Sequence, residues 1–231
     1  MKKTFLKFAG AILAIAFIGV SCTKDDVTDP EVTITGEKTV ILDLGDTYED
    51  AGATANDDKD GDLTSQITVV NPVKTDEVGT FTVVYSATDK AGNTGKAERT
   101  VIVKANKLAG TYKCDYVITG SNPDTYSSTE TVGGSDLTPF NKIFFSDFSG
   151  FANLNVEATC AGKNIVINQV KNYKWFGATE PASDATIQGQ SINAFTVTTG
   201  AAVSAKITEL SYTIDYGGSN IDIVAATYTK Q

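Results

Sequence analysis

The residues most able to do chemistry lie in NDDKDGDLT, Asn56 to Thr64. Asn56, Asp58, Asp60 and Asp62 alternate along it, and Gly61 stands between the last two acids. Calcium prefers several hard oxygens gathered around a tight turn, so these four residues are a candidate Ca2+ site. An EF-hand closes such a loop with a bidentate Glu at its twelfth position. Counted from Asn56, that position is Ile67. The other reading is an Asx-rich turn, in which carboxylates cap backbone N–H groups and Gly61 takes a positive φ.

The chain has no histidine. The commonest general base and zinc ligand are therefore missing, and Ser-His-Asp and Cys-His mechanisms with them. Catalysis would fall to carboxylates, Lys or Tyr. A carboxylate glycoside hydrolase needs two acids at a set separation across a cleft. Towards the C-terminus the candidates are Asp115, Asp147, Glu157, Glu180 and Asp215, and most of these alternate onto wet faces or lie in loops. The expectation is a protein that is not an enzyme. KNYKWFGATEP, Lys171 to Pro181, holds the only tryptophan. Tyr173, Trp175 and Phe176 sit there between a strand and a loop, where exposed rings could stack on sugars. Against this, large aromatics more often anchor a core or plug a barrel end. Cys114 and Cys160 fall on inward faces of their strands. Outside the cytoplasm they could form a disulfide; otherwise they pack as two small hydrophobes.

The elements that must position these residues are strands. Thr, Val, Ile, Tyr and Phe recur in short alternating runs punctuated by Gly, Asn and Asp. In GTFTVVYSATD, residues Phe81, Val83, Tyr85 and Ala87 share one face, which predicts a half-buried strand. Residues 30–104 suit a small β-sandwich of six or seven strands. Ala105-Asn106-Lys107 reads as a short hinge. From 108 to 231 further strands are predicted, after an opening one, near 127–132, 141–147, 153–160, 164–170, 185–190, 193–199, 203–216 and 220–229. The 203–216 run is long enough to contain a bend. The predicted fold class is all-β: an N-terminal Ig-like β-sandwich and a C-terminal antiparallel β-barrel or sandwich, since closure hides sheet edges.

The stretches PEVTITG, GDTYEDAGATANDDKDGDLT and VGTFTVVYSATDKAGNTGKAERTVIV resemble, in that order, a bacterial Ig-like family first named from a pesticidal crystal protein. Members are mostly spacers or repeats in surface proteins, so the resemblance implies no reaction and no fixed ligand. The acids of 56–62 belong to that family pattern, which favours the turn over the calcium loop. The L-x-G-x-Y start at Leu108 is similar to that of lipocalin-like domains in Bacteroidetes lipoproteins. More closely, the C-terminal part resembles the uncharacterised all-β domain that follows this Ig-like module in similar proteins.

The first residues give an address. MKK and Lys7 precede an apolar run from Phe8 to Val20, 13 residues long. That is shorter than the roughly 20 a membrane-spanning helix needs. A basic start and a short apolar core predict a secretory signal peptide over residues 1–21. Ser21-Cys22 resembles the lipobox of bacterial lipoproteins, with Gly19 and Val20 departing from the usual pattern. The resemblance implies that Cys22 is acylated, and several acyl chains anchor a protein stably. Residues 22–29 form the tether. Within it Lys24, Asp25 and Asp26 resemble the Lys-acidic-acidic export signal of Bacteroidetes lipoproteins, which implies a lipid anchor in the outer membrane and exposure at the cell surface.

Charge narrows the partners. The net charge is −9, from 19 basic and 28 acidic residues, and the leader removes three of the lysines and no acid. So acidic a chain is a poor partner for nucleic acid, whose phosphates call for Lys and Arg. Domain order and resemblance lead to a non-catalytic accessory lipoprotein on the cell surface. Its Ig-like stalk would lift a domain that binds a polysaccharide or joins a glycan-uptake complex. The alternative is a structural or adhesive protein that contacts another protein, betrayed by an apolar patch without ring-stacking geometry.

Overall fold

A computed structural model describes residues 25–134, 139–151, 154–173 and 185–231. Seven strands make the N-terminal domain: β1 (Glu31–Ile34), β2 (Thr39–Asp43), β3 (Ala53–Asp57), β4 (Gly61–Asp62), β5 (Thr68–Val70), β6 (Gly79–Thr88) and β7 (Thr94–Lys104). They form two sheets, β1-β3-β4 and β2-β7-β6-β5, with β2 parallel to β7. The alternation in β6 behaves as read: Val83, Tyr85 and Ala87 are buried and Phe81 packs against the same core. Strand β7 buries Val101 and Val103, and in the same phase Arg99, at 1% exposure.

A guanidinium can be buried only if its donors are satisfied. Arg99 Nε donates to Glu37 O (3.1 Å), and Nη2 to Thr35 O (2.5 Å) and Gly52 O (3.2 Å). Nη1 pairs with Asp50 Oδ1 at 2.5 Å, and Asp50 also accepts the Tyr85 hydroxyl. Burial alone would raise the Asp50 pKa, but the Tyr85 and Gly52 hydrogen bonds and the Arg99 charge together hold it below the usual range. This cluster fastens the irregular 44–52 segment across the sandwich.

Ten further strands follow: β8 (Gly110–Gly120), β9 (Asp124–Gly134), β10 (Lys142–Ser146), β11 (Val156–Ala161), β12 (Asn164–Tyr173), β13 (Ala185–Ser191), β14 (Phe195–Thr198), β15 (Ser204–Ile207), β16 (Glu209–Asp215) and β17 (Ile221–Lys230). The long 203–216 run is interrupted at Thr208, between β15, which pairs with β14, and β16, which joins the barrel. Eight strands close a barrel in the order β8-β9-β10-β11-β12-β13-β16-β17, antiparallel throughout, with β17 pairing back onto β8. Every neighbour is also next along the chain, apart from the β14–β15 hairpin inserted between β13 and β16. The choice between barrel and sandwich is thereby decided. The architecture is up-and-down, and no edge is left open.

Side chains fill the barrel. Tyr112, Tyr116, Phe145, Phe148, Tyr212 and Val224 are all buried. So are Cys114 and Cys160, which are free thiols. The disulfide considered from sequence is not made. Cys114 lies on β8 and Cys160 on β11, with β9 and β10 between them, and strands are spaced about 4.8 Å apart. A disulfide needs Cα atoms within about 7 Å. Burial pushes both thiols up to about 12.

The expected hinge is also corrected. Ala105 and Leu108 are fully buried, and Asn106–Leu108 is a single 3-10 turn. Leu44, Val78 and Val103 of the sandwich belong to the same apolar cluster as the barrel core. Val78 and Gly162 exchange two backbone hydrogen bonds of 2.9 Å, and Lys163 pairs with Asp76 at 2.5 Å. The residues between the domains are therefore interior, and the two units join through a packed face.

Candidate functional site at the distal barrel mouth

The join with the sandwich fixes the two ends of the barrel. The proximal end carries the β11–β12 turn at Gly162 and the β14–β15 hairpin, whose Val197 and Val203 lie against Gly45. The distal end carries the segments 121–123, 147–151 and 216–220. A cleft of about 470 Å3 opens there between them. Tyr126, Phe151 and Tyr216 line it, each partly exposed, together with Asn122, Asp124 and Asp222.

The cleft floor is held by a polar network inside the barrel. Glu130, on β9, is completely buried. Its Oε1 accepts the Ser149 N–H at 2.6 Å and the Tyr116 hydroxyl, and its Oε2 accepts the Tyr228 hydroxyl at 2.8 Å. Burial pushes the Glu130 carboxyl above the usual range, and the three donors offset this only in part. Ser149 sits in the left-handed region at φ 58°, a conformation that costs a non-glycine residue about 1–3 kcal/mol. This conformation accompanies the N–H bond to Glu130. The Ser149 hydroxyl meets Tyr126 (2.9 Å) and Tyr212 (2.7 Å), and its carbonyl accepts from Tyr126 (2.8 Å). Tyr126 in turn stacks on Tyr116 with centroids 4.6 Å apart. One face of the cleft's central ring is thus fixed from beneath.

The walls are ordered in the same way. Asp222 is buried and its Oδ1 accepts the Asn122 N–H at 2.8 Å, while Oδ2 accepts from the Asn122 side chain at 3.2 Å. Among the described residues no Lys or Arg lines the cleft. Carboxylates, an amide and aromatic rings suit a neutral ligand rich in hydroxyl donors, whereas an anion would find no counter-charge.

The acids considered for catalysis go elsewhere. Asp115 bonds Ser127 and Lys113 on the barrel exterior. Glu157 pairs with Lys142 at 2.5 Å, and Asp215 caps Gly217 N at 2.8 Å. Asp147 is exposed in the 147–150 turn, and Glu180 lies outside the described residues. Tyr173 ends β12 at the distal rim, opposite Ala185. Trp175 and Phe176 lie outside the described residues. Cys22 and Lys24 likewise lie outside them. Asp25 is exposed, and Asp26 pairs with Lys59 at 3.2 Å.

The candidate calcium set of Asn56, Asp58, Asp60 and Asp62 is not brought together. Asn56 and Asp62 are ladder partners across β3 and β4. Asp60 is taken by Lys90, through the side chain at 2.8 Å and the backbone N–H at 2.7 Å, and Asp62 caps Thr64 N at 2.8 Å. Gly61 has the positive φ, 74°, of a turn glycine. Only Asp58 faces other acids, Asp57 and Asp26. Sequence reading passed over Glu130 and Asp57 alike, although each falls in the buried phase of its strand, beside Val132 and Ala55.

Residues 32–103 match the family of bacterial surface protein Ig-like domains. The Ig-like domain is thus of a kind found at bacterial surfaces, and the barrel is what it carries. No curated protein matches the chain. Among solved structures, a lipoprotein of Bacteroides thetaiotaomicron is similar at a TM-score of 0.33 and 16% identity, over 87% of this chain and 100% of that one. The CBM51-2 and INT domains of Clostridium perfringens ZmpB, in complex with GlcNAc, give a TM-score of 0.27 and 14% identity over 87% of this chain and 44% of that one. Likenesses this distant carry no argument, so the functional reading rests on the cleft.

Proposed function

We propose that this chain is a non-catalytic lipoprotein, anchored in the outer membrane through Cys22 and exposed at the cell surface, whose barrel binds a neutral glycan in its distal cleft. One observation carries the reading. The cleft combines Tyr126, Phe151 and Tyr216 with acceptor groups and, among the described residues, no cation, and it opens at the barrel end opposite the Ig-like domain. The Ig-like domain follows the lipid-bearing cysteine, so it acts as the stalk and the cleft points away from the membrane. Among the described residues the barrel interior is filled by side chains such as Tyr112, Phe145 and Tyr212, which directs binding to the mouth.

The test is a panel of neutral and acidic polysaccharides against the chain from Cys22 onward, carrying Cys22→Ser. Binding of at least one neutral glycan is expected, weakened tenfold or more by Tyr216→Ala or Phe151→Ala, which is about 1.4 kcal/mol. Binding unaffected by either change would overturn the placement of the site. No binding by a folded sample would favour the second reading, a protein-contacting role. That reading has its own support in Val117, Ile221 and Ile223, which are 52%, 41% and 52% exposed on the adjacent strands β8 and β17.

A further inference from the structure

We propose that Asp26, Asp57 and Asp58 form a calcium site that pins the membrane-proximal tether to the Ig-like domain. One carboxylate oxygen from each lies within 4.8 Å of the others. Two oxygens on a common Ca2+, each at 2.3–2.6 Å, can be at most about 5 Å apart, so the three fit a single ion.

The deciding observation is Asp57. It is 3% exposed, and its Oδ1 accepts the N–H groups of Lys59 (2.9 Å) and Asp60 (2.8 Å). Its Oδ2 is fully buried and has no hydrogen-bond partner among the described residues. A buried carboxylate oxygen without a donor is strongly unfavourable. Here that oxygen belongs to a carboxylate grouped with two more. The Lys59 ammonium lies 3.2 Å from Asp26 Oδ1, and that oxygen also accepts the Thr28 N–H at 3.2 Å. Lys90, which also acts on Asp57, is already paired with Asp60 at 2.8 Å, so Lys59 and Lys90 against Asp26, Asp57, Asp58 and Asp60 leave an excess of two negative charges, which a divalent cation would cancel. The donors are all hard oxygens, and exposed Asp58 leaves room for the waters that complete six to eight ligands. This favours Ca2+ over Mg2+, which holds its own waters in a strict octahedron.

The site would join separate parts of the chain. Asp57 and Asp58 come from the end of β3, and Asp26 from the segment that follows Cys22. That segment is already laid on the domain. Asn93 Nδ2 donates to Asp26 O at 3.3 Å, and Pro30 O sits where a Cβ on Gly95 would fall, 1.7 Å from it. Calcium would lock the tether in this place. The stalk would then leave the membrane at a fixed angle in a medium with millimolar calcium, where extracellular modules bind with Kd of about 10−4–10−3 M.

The test is calorimetric titration and thermal melting of the Cys22→Ser chain from Cys22 onward, with CaCl2 up to 10 mM against MgCl2 and NaCl of equal ionic strength. One calcium per chain is expected, with a rise in Tm of several degrees that Mg2+ and Na+ do not reproduce. Asp57→Asn should abolish it. Exposed Asp58→Ala and Asp26→Ala, which leave the Asp57 turn intact, should each weaken binding tenfold or more. No calcium-specific shift in the unmutated site would overturn the proposal. So would a shift that survives Asp26→Ala and Asp58→Ala, because the ion would then sit elsewhere.

Discussion

Replacing Glu130 with Ala would leave two donors inside the barrel without an acceptor, the Ser149 N–H and the Tyr228 hydroxyl, and would leave the Tyr116 hydroxyl with Ser128 Oγ, 3.1 Å away, as its remaining partner. Each buried donor so orphaned costs about 1–3 kcal/mol. Rotation of the tyrosine hydroxyls can recover part of this, so the loss should be about 3–5 kcal/mol, a large share of the stability of an ordinary domain. Glu130→Gln should cost far less at low pH, because its carbonyl keeps the Ser149 bond and its amide can donate to Tyr228. The pH dependence follows from the raised pKa of Glu130. The unfolded chain gives up this proton near 4.5, and the folded chain only at higher pH. Between the two values the unfolded state holds fewer protons, so this group makes stability fall as pH rises, by about 1.4 kcal/mol per pH unit of the window. Glu130→Gln removes that slope and should gain on the unmutated protein from pH 4.5 upward. Urea unfolding followed by far-UV circular dichroism, at steps from pH 4 to 8, measures both effects. A loss below about 1 kcal/mol for Glu130→Ala, or a Glu130→Gln profile parallel to that of the parent at every pH, would refute the reasoning.

Three further outcomes are expected. Leu108→Ala, at the buried junction, should cost about 2–5 kcal/mol, and melting should show one transition for both domains in the parent; two separated transitions in the parent would contradict the shared core. Cys114 and Cys160 should resist a thiol reagent in the folded protein and both react in urea, since burial holds them as thiols at about 12; fast labelling in buffer would contradict their burial. Changing Lys24, Asp25 and Asp26 together to Ala should turn a protease-sensitive protein on whole cells into a protected one, while Cys22→Ser should release it from the membrane fraction; unchanged sensitivity or unchanged fractionation would remove the corresponding part of the address.

Period-2 alternation made the strands legible. Phe81, Val83, Tyr85 and Ala87 sit as their spacing dictates, and the length of the 203–216 run pointed to the break that falls at Thr208. Closure of the barrel was not. It depends on the β8–β17 ladder, which pairs Tyr112 with Lys230, and nothing local to either end records a partner more than a hundred residues away. The charged residues of the interior were hidden for a different reason. An acid or arginine in an alternating run is normally taken as the mark of the wet face. Yet Arg99 is in phase with Val101 and Val103, Glu130 with Val132, and Asp57 with Ala55. The phase carried the information, and the chemistry of the side chain argued against it. The same conflict misdirected the calcium reading. Asn56, Asp58, Asp60 and Asp62 alternate because a strand and its turn put them on the outside, while the oxygen that lacks a partner belongs to the residue between the first two.

The buried charges also account for how the functional ends are held. Each domain spends one of them on an irregular segment that alternation alone cannot fix: Arg99 on 44–52, and Glu130 on the Ser149 turn under the cleft. Apolar packing could fill either space, but it would not choose the orientation of a peptide N–H or of a tyrosine ring. Glu130 accepts from the strands β8 and β17 and from the 148–150 turn at once, so moving that turn breaks bonds on the opposite wall. The cleft's floor is therefore rigid before any ligand arrives. For the proposed glycan, the entropy lost on binding would fall mainly on the ligand and the rim, the condition under which a shallow site of three rings could hold a flexible chain.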